Sequence, residues 1–280
     1  MPSAFLSDRA LLSISGKDAE DFLHSLITTD VAGLPAGTAR PGALLTPQGK
    51  ILFDFILCRR GDGFVIECDM SQREALARRL TMYKLRAAVD IAPVEEVGVT
   101  VAWGEDPLAD GVTDAAFDKA GIALQRAGGR LSEDGEDAYQ ALRIEAGLAI
   151  SGRDFPLQDA FPHDVLLDKD DGLSFRKGCY VGQEVVSRMQ HRGTARRRVV
   201  IVSAGQDLPA SGTDIMAGGK PVGTLGSSAG GKGLAIVRID RVGDALTNGV
   251  EITAGDISLS LSLPAWTGLS FPTETPEAET

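Results

Sequence analysis

Short apolar runs separated by glycine-rich turns fill the last third of this 280-residue chain and constrain its fold most strongly. Each run has the length of a strand, and short strands between such turns close into small barrels or sandwiches. The sequence therefore predicts a separate all-β module, a small barrel, over residues 196–268. Residues 269–280 predict a disordered tail, because a stretch rich in Thr, Glu and Pro cannot bury apolar surface. The five runs are 199–202, 222–225, 235–239, 250–253 and 257–263.

Helix signals occur throughout the region before residue 196. Apolar residues spaced three and four apart predict helices over 18–28 and 72–86, each with one buried face. Ser71 followed by Glu74 predicts a capping box at the start of the second of these helices. A third predicted helix ends at Gly147, because a glycine just past the last turn is a common helix stop.

Strand signals lie between these helices. Apolar runs at 51–58 and 64–68, joined by a polar turn, predict a β-hairpin. Further strands are predicted at 97–103 and 121–125, whereas the glycines and prolines of 33–42 predict a loop. The region that precedes the barrel is therefore predicted to contain both helices and strands.

Composition limits the class of protein. Lys and Arg number 28 against 39 Asp and Glu, a net charge of −11, so a dedicated nucleic-acid binder is not expected. Three cysteines without paired spacing exclude a disulfide scaffold and structural zinc, and they indicate a reducing compartment. The three histidines also lack ligand-like spacing, so no metal site is predicted. With no apolar run of about 20 residues and no signal peptide, we expect a cytoplasmic location without membrane contact.

Cys179 is the cysteine whose surroundings suggest chemistry. It follows Lys177 and precedes a predicted helix over 183–190, and both nearby cations and helix N-termini favour a thiolate. Gly178 and Gly182 permit a tight turn that would expose the sulfur. These residues predict a reactive thiol, and a purely structural Gly-Cys turn is the alternative.

The segment 176–198 is locally basic in an acidic chain. Seven Lys or Arg residues stand there against one acid, Glu184. Such a cluster predicts an anion site for a polycarboxylate tail or a weak contact with RNA phosphates, and a solvated connecting segment is the alternative. The basic residues are Arg176, Lys177, Arg188, Arg192, Arg196, Arg197 and Arg198.

An eight-residue motif at 177–184 resembles the signature of a known family. It matches every defined position of K-G-C-[FY]-x-G-Q-E, the signature of the YgfZ-type folate-binding proteins. These proteins are relatives of the glycine-cleavage T-protein, GcvT, and include a mitochondrial iron–sulfur cluster assembly factor. The matching residues are Lys177, Gly178, Cys179, Tyr180, Gly182, Gln183 and Glu184. The resemblance spans about residues 5–265, and the supporting segments are 16–31, 44–50, 84–86 and 143–147.

The resemblance implies a fold and a cofactor. The fold would be two interwoven GcvT-like α+β lobes around a central folate channel, followed by the C-terminal all-β barrel. One lobe would combine residues 1–45 with 125–195, and the other would span 46–124. The implied cofactor is tetrahydrofolate or a derivative.

Two carboxylates are implied to contact the folate. Glu145 matches the glutamate of the R-[IL]-E-A-G segment that hydrogen-bonds the pterin ring in T-proteins, and a carboxylate can accept two N–H bonds from an aminopyrimidine edge. Asp54 keeps the second position of the adjacent aspartates in the T-protein segment G-G-I-L-D-D-L, where Phe53 replaces the first. A solvated helix acid is the alternative for Glu145, and a hydrogen-bonded core acid is the alternative for Asp54. Because the acidic pair is half lost, the resemblance favours a branch other than the T-proteins.

The expected function is a tetrahydrofolate-binding protein that assists assembly or repair of iron–sulfur clusters and supports cluster enzymes, including tRNA-modifying ones. Glu145 and Asp54 would hold the folate. Lys177 and Arg188 would meet anionic groups, and Cys179 would supply the thiol. Partners would be iron–sulfur assembly proteins or cluster-dependent enzymes. We expect an accessory factor, and the alternative is a folate-dependent aminomethyl or one-carbon transferase.

Overall fold

The chain forms two units, each built on its own β-sheet. The computed structural model describes residues 2–104, 106 and 108–272. The first unit comprises the described residues up to Tyr139 and the segment Leu167–Ser187, and the second comprises Gln140–Leu166 and the described residues from Arg188 onward. The second unit thus takes in a segment that precedes the predicted barrel.

The sheet of the first unit has nine strands within the described residues. They are β1 (Ser3–Leu6), β2 (Arg9–Ser15), β3 (Thr38–Leu45), β4 (Ile51–Arg60), β5 (Gly63–Asp69), β6 (Asp90–Pro93), β7 (Val99–Trp103), β8 (Val112–Asp114) and β9 (Leu124–Gly128). Their order across the sheet is β1-β7-β9-β8-β3-β4-β5-β2-β6, and β3 and β8 are the parallel neighbours. The hairpin predicted from 51–58 and 64–68 is confirmed as β4 and β5, whose residues pair antiparallel.

Five helices precede the second sheet in the part of the chain that the structure describes. They are α1 (Ala19–His24), α2 (Arg73–Lys84), α3 (Ala115–Lys119), α4 (Asp137–Ala146) and α5 (Gln183–His191). The helix predicted to end at Gly147 is confirmed as α4, and Gly147 follows it with a φ of +75°. The helix predicted over 18–28 ends early, at His24. Across the described residues, no helix combines the length and apolar character needed to span a membrane.

The start of α2 differs from the predicted capping box. Asp69, not Ser71, accepts the capping hydrogen bond, through Oδ1 from the Ser71 backbone N–H at 2.8 Å. The Ser71 hydroxyl donates to the same carboxylate, so it is directed away from the Glu74 position. An extra 3-10 turn over Met70–Gln72 results, and α2 begins at Arg73 without a side-chain cap.

The predicted loop over 33–42 contains the beginning of a strand. β3 starts at Thr38 and passes through Pro41, which pairs with Ile56 of β4. Proline is tolerated here because β8 pairs only with Thr38 and Ala39 of β3, so the missing N–H of Pro41 interrupts no ladder on that side. The lobe boundary predicted between residues 45 and 46 therefore lies at the turn between two paired strands.

A buried ion network forms inside the sheet of the first unit. The Arg126 guanidinium on β9 donates to both carboxylate oxygens of Glu67 on β5, at 2.8 and 2.5 Å. It also contacts Asp114 at 3.1 Å, and Arg9 donates to Glu67 at 2.9 Å. Burial alone would raise the pKa of Glu67, but the guanidiniums of Arg126 and Arg9 outweigh burial and lower it to about 2. The carboxylate is therefore charged at neutral pH.

The second unit carries a seven-stranded sheet within the described residues, and with it the predicted barrel is confirmed. Its elements are β10 (Arg197–Ser203), β11 (Asp214–Ala217), β12 (Lys220–Ala229), β13 (Lys232–Arg238), α6 (Ile239–Thr247), β14 (Ile252–Ala254), β15 (Ile257–Ser258) and β16 (Ser260–Ser262). The strand order is β15-β14-β11-β12-β13-β10-β16, and the core includes Val200, Ile215, Leu225 and Val237. Together the two units have the predicted α+β fold class with a C-terminal barrel.

The barrel differs in detail from the all-β prediction. α6 follows β13 directly and buries Ile239, Val242 and Ala245 against the barrel core. These residues are spaced three apart, but the glycine inside the helix weakens the helix signal in the sequence. The single strand predicted at 257–263 is divided into β15 and β16. Of the predicted tail, Phe271 packs against the barrel core, and residues 273–280 lie outside the described residues.

We expect Glu67→Gln to lower the free energy of unfolding by about 3–5 kcal/mol, because it leaves two buried guanidiniums short of a negative partner. Urea unfolding measures the change. The Glu67 contribution to wild-type stability is fully present above pH 4.5 and is lost as the pH falls through about 2, because the folded-state pKa is lowered. Glu133→Gln is the control, since Glu133 pairs with Arg130 at the surface and should change stability by less than about 1 kcal/mol. Equal effects of the two variants would contradict a stabilising network.

Candidate functional site

Cys179 lies on an exposed turn of the first unit. Its side chain and the neighbouring Gly178 are exposed, whereas Tyr180 is buried. The predicted helix that follows is confirmed as α5, which begins at Gln183. The motif therefore presents one thiol to solvent between a half-buried lysine and a buried tyrosine.

Lys177 anchors the turn on its N-terminal side. Its Nζ donates to the carbonyl oxygens of His24, Ile27 and Thr29 at 2.5, 2.6 and 2.9 Å. His24 is the last residue of α1, where carbonyl groups lack helical partners, so an ammonium group there satisfies several acceptors at once. Burial lowers the pKa of Lys177 to about 8. Because these carbonyls use its three N–H donors, Lys177 holds the turn, which differs from the predicted contact with an anionic group.

Hydrogen bonds also connect the segment before Lys177 to Thr28. The Ser174 N–H donates to the Thr28 carbonyl at 3.0 Å, and the Thr28 hydroxyl donates to the Gly172 carbonyl at 2.7 Å. The Ser174 Oγ in turn accepts from the backbone N–H of Lys177 at 3.3 Å. Backbone and side-chain bonds thus place the turn beside residues 24–29.

Gly182 anchors the turn on its C-terminal side. Its φ is +79°, and a Cβ at this position would lie 2.5 Å from the Thr46 carbonyl oxygen and 3.1 Å from the Leu45 Cβ. Thr46 closes the tight turn between β3 and β4, because its N–H donates to the Lys50 carbonyl at 2.8 Å. The glycines of the motif and of the 44–50 segment therefore allow two turns to pack closely.

Tyr180 packs its ring near the Lys177 ammonium in the same turn. The Lys177 Nζ lies 5.2 Å from the centroid of its ring, within the range of a cation–π contact. Burial raises the pKa of the Tyr180 phenol above its ordinary value, so the phenol stays neutral. Tyr180 thus contributes a buried aromatic ring directly after the exposed Cys179.

Neither of the other two cysteines presents a thiol in this way. Cys68 on β5 is fully buried, and burial raises its pKa to about 12. Cys58 on β4 is half-buried, and burial together with the Glu67 carboxylate also raises its pKa. Both thiols therefore stay protonated at neutral pH, which leaves Cys179 as the exposed thiol of the chain.

The 143–147 segment occupies the end of α4 in the second unit. Arg143 is almost fully buried, and its guanidinium bonds to Asp154 at 2.6 Å, to the Leu148 carbonyl at 2.7 Å and to the Ser227 hydroxyl at 2.7 Å. Gly147 follows with a positive φ, and a Cβ there would collide with Pro264. Arg143 is a positioning residue that the sequence interpretation missed, although an arginine inside an otherwise apolar helix face was its signal.

Glu145 is exposed between these two anchors. Its Oε1 lies 3.4 Å from the Lys232 Nζ, and both side chains are more than half exposed. An exposed ion pair of this length is weak, so the carboxylate is available to accept hydrogen bonds from another group. An exposed carboxylate is the acceptor that the N–H donors of a pterin edge require, so the position fits such a contact.

The remaining predicted site residues lie in different units. Asp54 is half-buried on β4 in the first unit, where its charge acts on Arg9. Arg188 is exposed on α5 and belongs to the second unit, as does Glu145. Lys177, Tyr180 and Gly182 come together in the first unit around Cys179. In the described residues, no group of three or more His, Cys, Asp or Glu side chains is arranged to hold a metal ion.

Several basic side chains of segment 176–198 bind groups within the protein, so fewer of them can contact an external anion than the composition indicates. Lys177 is engaged as described, Arg197 pairs with Asp159 at 2.9 Å, and Arg198 is buried and donates to the His163 carbonyl at 2.6 Å. Contact with RNA stays a prediction, and it would depend on the side chains that are exposed. These are Arg176, Arg188, Arg192 and Arg196.

Comparison with known proteins defines the class to which this fold belongs. The aminomethyltransferase T of the glycine cleavage system from Bartonella henselae superposes with a TM-score of 0.70 at 19% identity, covering 94% of this chain and 85% of that one. Residues 196–269 match the model of the CAF17 C-terminal β-barrel domain. The fold is thus that of the aminomethyltransferase T proteins with a CAF17-type barrel.

Sequence relatives identify the family. The human mitochondrial iron–sulfur cluster assembly factor IBA57 is 31% identical over 93% of this chain and 84% of its own length. The tRNA-modifying protein YgfZ of Escherichia coli is 29% identical over 75% of this chain and 74% of its own. The chain belongs to the IBA57 and YgfZ family, which confirms the resemblance of the motif.

We expect Lys177→Met to loosen the Cys179 turn. Loss of the ammonium leaves several carbonyl acceptors without a donor, so the free energy of unfolding should fall by about 1–3 kcal/mol. Amide hydrogen exchange of residues 174–180 should accelerate more than that of the barrel. Lys119→Met is the matched control, because Lys119 pairs with Asp171 at the surface and should change stability by less than about 0.5 kcal/mol. Unchanged exchange in Lys177→Met would show that the turn is held by other contacts.

Proposed function

We propose that this protein binds tetrahydrofolate or a derivative and assists the assembly or repair of iron–sulfur clusters, thereby supporting cluster-dependent enzymes, including tRNA-modifying ones. The observation that carries the proposal is the exposed Cys179 thiol on a turn anchored at Lys177 and Gly182. The names of the human and Escherichia coli relatives support it. We further propose that the protein acts in the cytoplasm.

The thiol suits a transient role in cluster handling. A thiolate is the usual protein ligand of an iron–sulfur cluster, and a complete cluster commonly takes four. This chain presents one exposed thiol, and its other two cysteines are kept protonated by burial. The cluster is therefore cargo, and its remaining ligands would come from a partner protein. Anchoring on both sides of Cys179 limits the conformational entropy that is lost when the thiol engages.

The folate part of the proposal rests on Glu145. The carboxylate is exposed on α4, while Arg143 and Gly147 fix the backbone on either side of it. When bound, a reduced folate would supply one-carbon or redox chemistry. Glu145 would orient the pterin ring by accepting N–H bonds from its edge. Asp54 and Arg188 are proposed as further folate contacts, and Lys177 acts instead as the positioning residue for the thiol.

We expect Cys179→Ala to abolish the support of cluster enzymes without unfolding the protein, because the exposed side chain contributes little to packing. The activity of a cluster-dependent tRNA-modifying enzyme is measured in cells that lack their own copy and receive each variant. Activity should fall to the level of cells that receive no copy. Cys58→Ala is the matched control and should retain support. Full support by Cys179→Ala would refute the role of the thiol.

We expect the purified, reduced protein to bind tetrahydrofolate saturably, as followed by tryptophan fluorescence or calorimetry. Glu145→Ala should weaken binding about ten- to a hundredfold, the range for a lost hydrogen bond to a charged group. Lys232→Ala should leave binding unchanged or tighter, because it removes a competing cation. No binding by the wild-type protein at millimolar ligand would contradict the folate proposal. Release of ammonia or formaldehyde from an amine donor would instead favour the transferase alternative.

A further inference from the structure

Leu85 has a backbone conformation that leucine rarely adopts. It follows the last residue of α2 with φ +44° and ψ −103°. The Ala87 N–H donates to the Lys84 carbonyl at 2.8 Å, which closes a four-residue turn with Leu85 at its second position. These values are close to those of a type II′ turn, in which glycine is the usual residue at that position. A leucine here is strained, because its Cβ crowds the backbone.

Both ends of this turn are anchored, which explains how the strain persists. Lys84 before it is the last residue of α2, whose Leu76 and Leu80 are fully buried. After it, the Ala88 N–H donates to the Asp18 carboxylate at 2.7 Å, and the Ala88 carbonyl accepts from the Asp18 N–H at 3.4 Å. A strained conformation survives where its surroundings determine it, and such residues often serve function.

The Leu85 side chain stabilises nothing inside the molecule. It is 90% exposed, the highest value among the exposed large apolar side chains of the described residues. Met82, three residues earlier near the end of α2, is 67% exposed. The position thus combines backbone strain with an exposed apolar side chain, and neither contributes to folding.

Basic residues outnumber acidic ones in the sequence around this apolar pair. Residues 73–86 contain five basic side chains and one acid, Glu74, in a chain whose net charge is −11. Arg78 lies one turn before Met82 and is 72% exposed, and Arg86 directly follows Leu85 and is also exposed. The five are Arg73, Arg78, Arg79, Lys84 and Arg86. We call Arg78, Met82, Leu85 and Arg86 the α2 knob.

We propose that the α2 knob docks a protein partner that presents acidic side chains around an apolar pocket, with Leu85 inserted into the pocket. The charge of the rim selects an acidic surface, because opposite potentials steer and orient association. The anchored turn fixes the Leu85 backbone before binding, so little backbone entropy is lost on docking. The identification of the partner as a cluster assembly protein or client enzyme rests on the proposed function.

Photo-cross-linking tests the docking directly. The chain carries benzoylphenylalanine at position 85 and is irradiated in an extract of the cells from which its gene comes. We expect an adduct with another protein whose cross-linked peptide is acidic. Its yield should fall about tenfold with Arg86→Glu, the loss expected for a charge pair at an interface rim. The same probe at Leu131, which is 55% exposed in the same unit, is the control and should give no such adduct. No adduct at position 85, an adduct with a second copy of the chain, or an adduct with lipid would each overturn the proposal.

Leu85→Gly separates docking from stability. The melting temperature should equal or exceed that of the wild-type protein, because glycine relieves the strained turn and no buried surface is lost. Support of the cluster enzyme should nevertheless fall, while tetrahydrofolate binding should be unchanged. A lower melting temperature or full enzyme support would refute a docking role for Leu85. If the wild-type protein gave an acidic adduct but no enzyme support, the docking would stand and the proposed function would fail.

Discussion

The ion pair between Arg126 and Glu67 is the interaction on which the first unit depends. Arg126 is on β9 and Glu67 is on β5, and three strands, β8, β3 and β4, lie between them in the sheet. In a flat sheet, at about 4.8 Å per strand, β9 and β5 would be about 19 Å apart. Direct contact at 2.5–2.8 Å therefore requires the sheet to curl around its charged interior. Neither charge could be buried alone, because each group loses a large hydration free energy on burial. The opposite charge of its partner compensates that loss.

The Cys179 motif shows how several residue types combine to present one thiol. A lysine is required because an ammonium group can satisfy several clustered carbonyls at a helix end, as Lys177 does near His24. A glycine is required where the turn approaches Thr46 too closely for a side chain. A tyrosine places the centroid of its buried ring 5.2 Å from the lysine ammonium, as Tyr180 does. The cysteine itself packs against little, which is consistent with a chemical role.

The 143–147 segment follows the same principle in the second unit. Arg143 is buried and bonded to Asp154 and Ser227, so it fixes α4 to the barrel within that unit. Gly147 lets the chain turn beside Pro264. Glu145 lies between them and is exposed. In both motifs, the residues with structural roles are buried or conformationally constrained, and the residue with a proposed chemical role points to solvent. Leu85 is a third exposed residue on a constrained backbone.

Local pattern determined the parts of this protein whose signals lie within a few residues of one another. The β4–β5 hairpin, the end of α4 at Gly147, the barrel and the exposed Cys179 turn could all be predicted from periodicity, turn residues and one motif. Only the tertiary structure decided that Pro41 lies in a strand, that Asp69 rather than Ser71 caps the turn before α2, and that Lys177 anchors the thiol turn to the end of α1. The tertiary structure likewise revealed Arg143 as a buried anchor and Leu85 as a strained, exposed side chain. The physical reason is that hydrogen bonds, ion pairs and strain depend on partners distant in sequence, and local burial patterns carry no information about which distant segments meet.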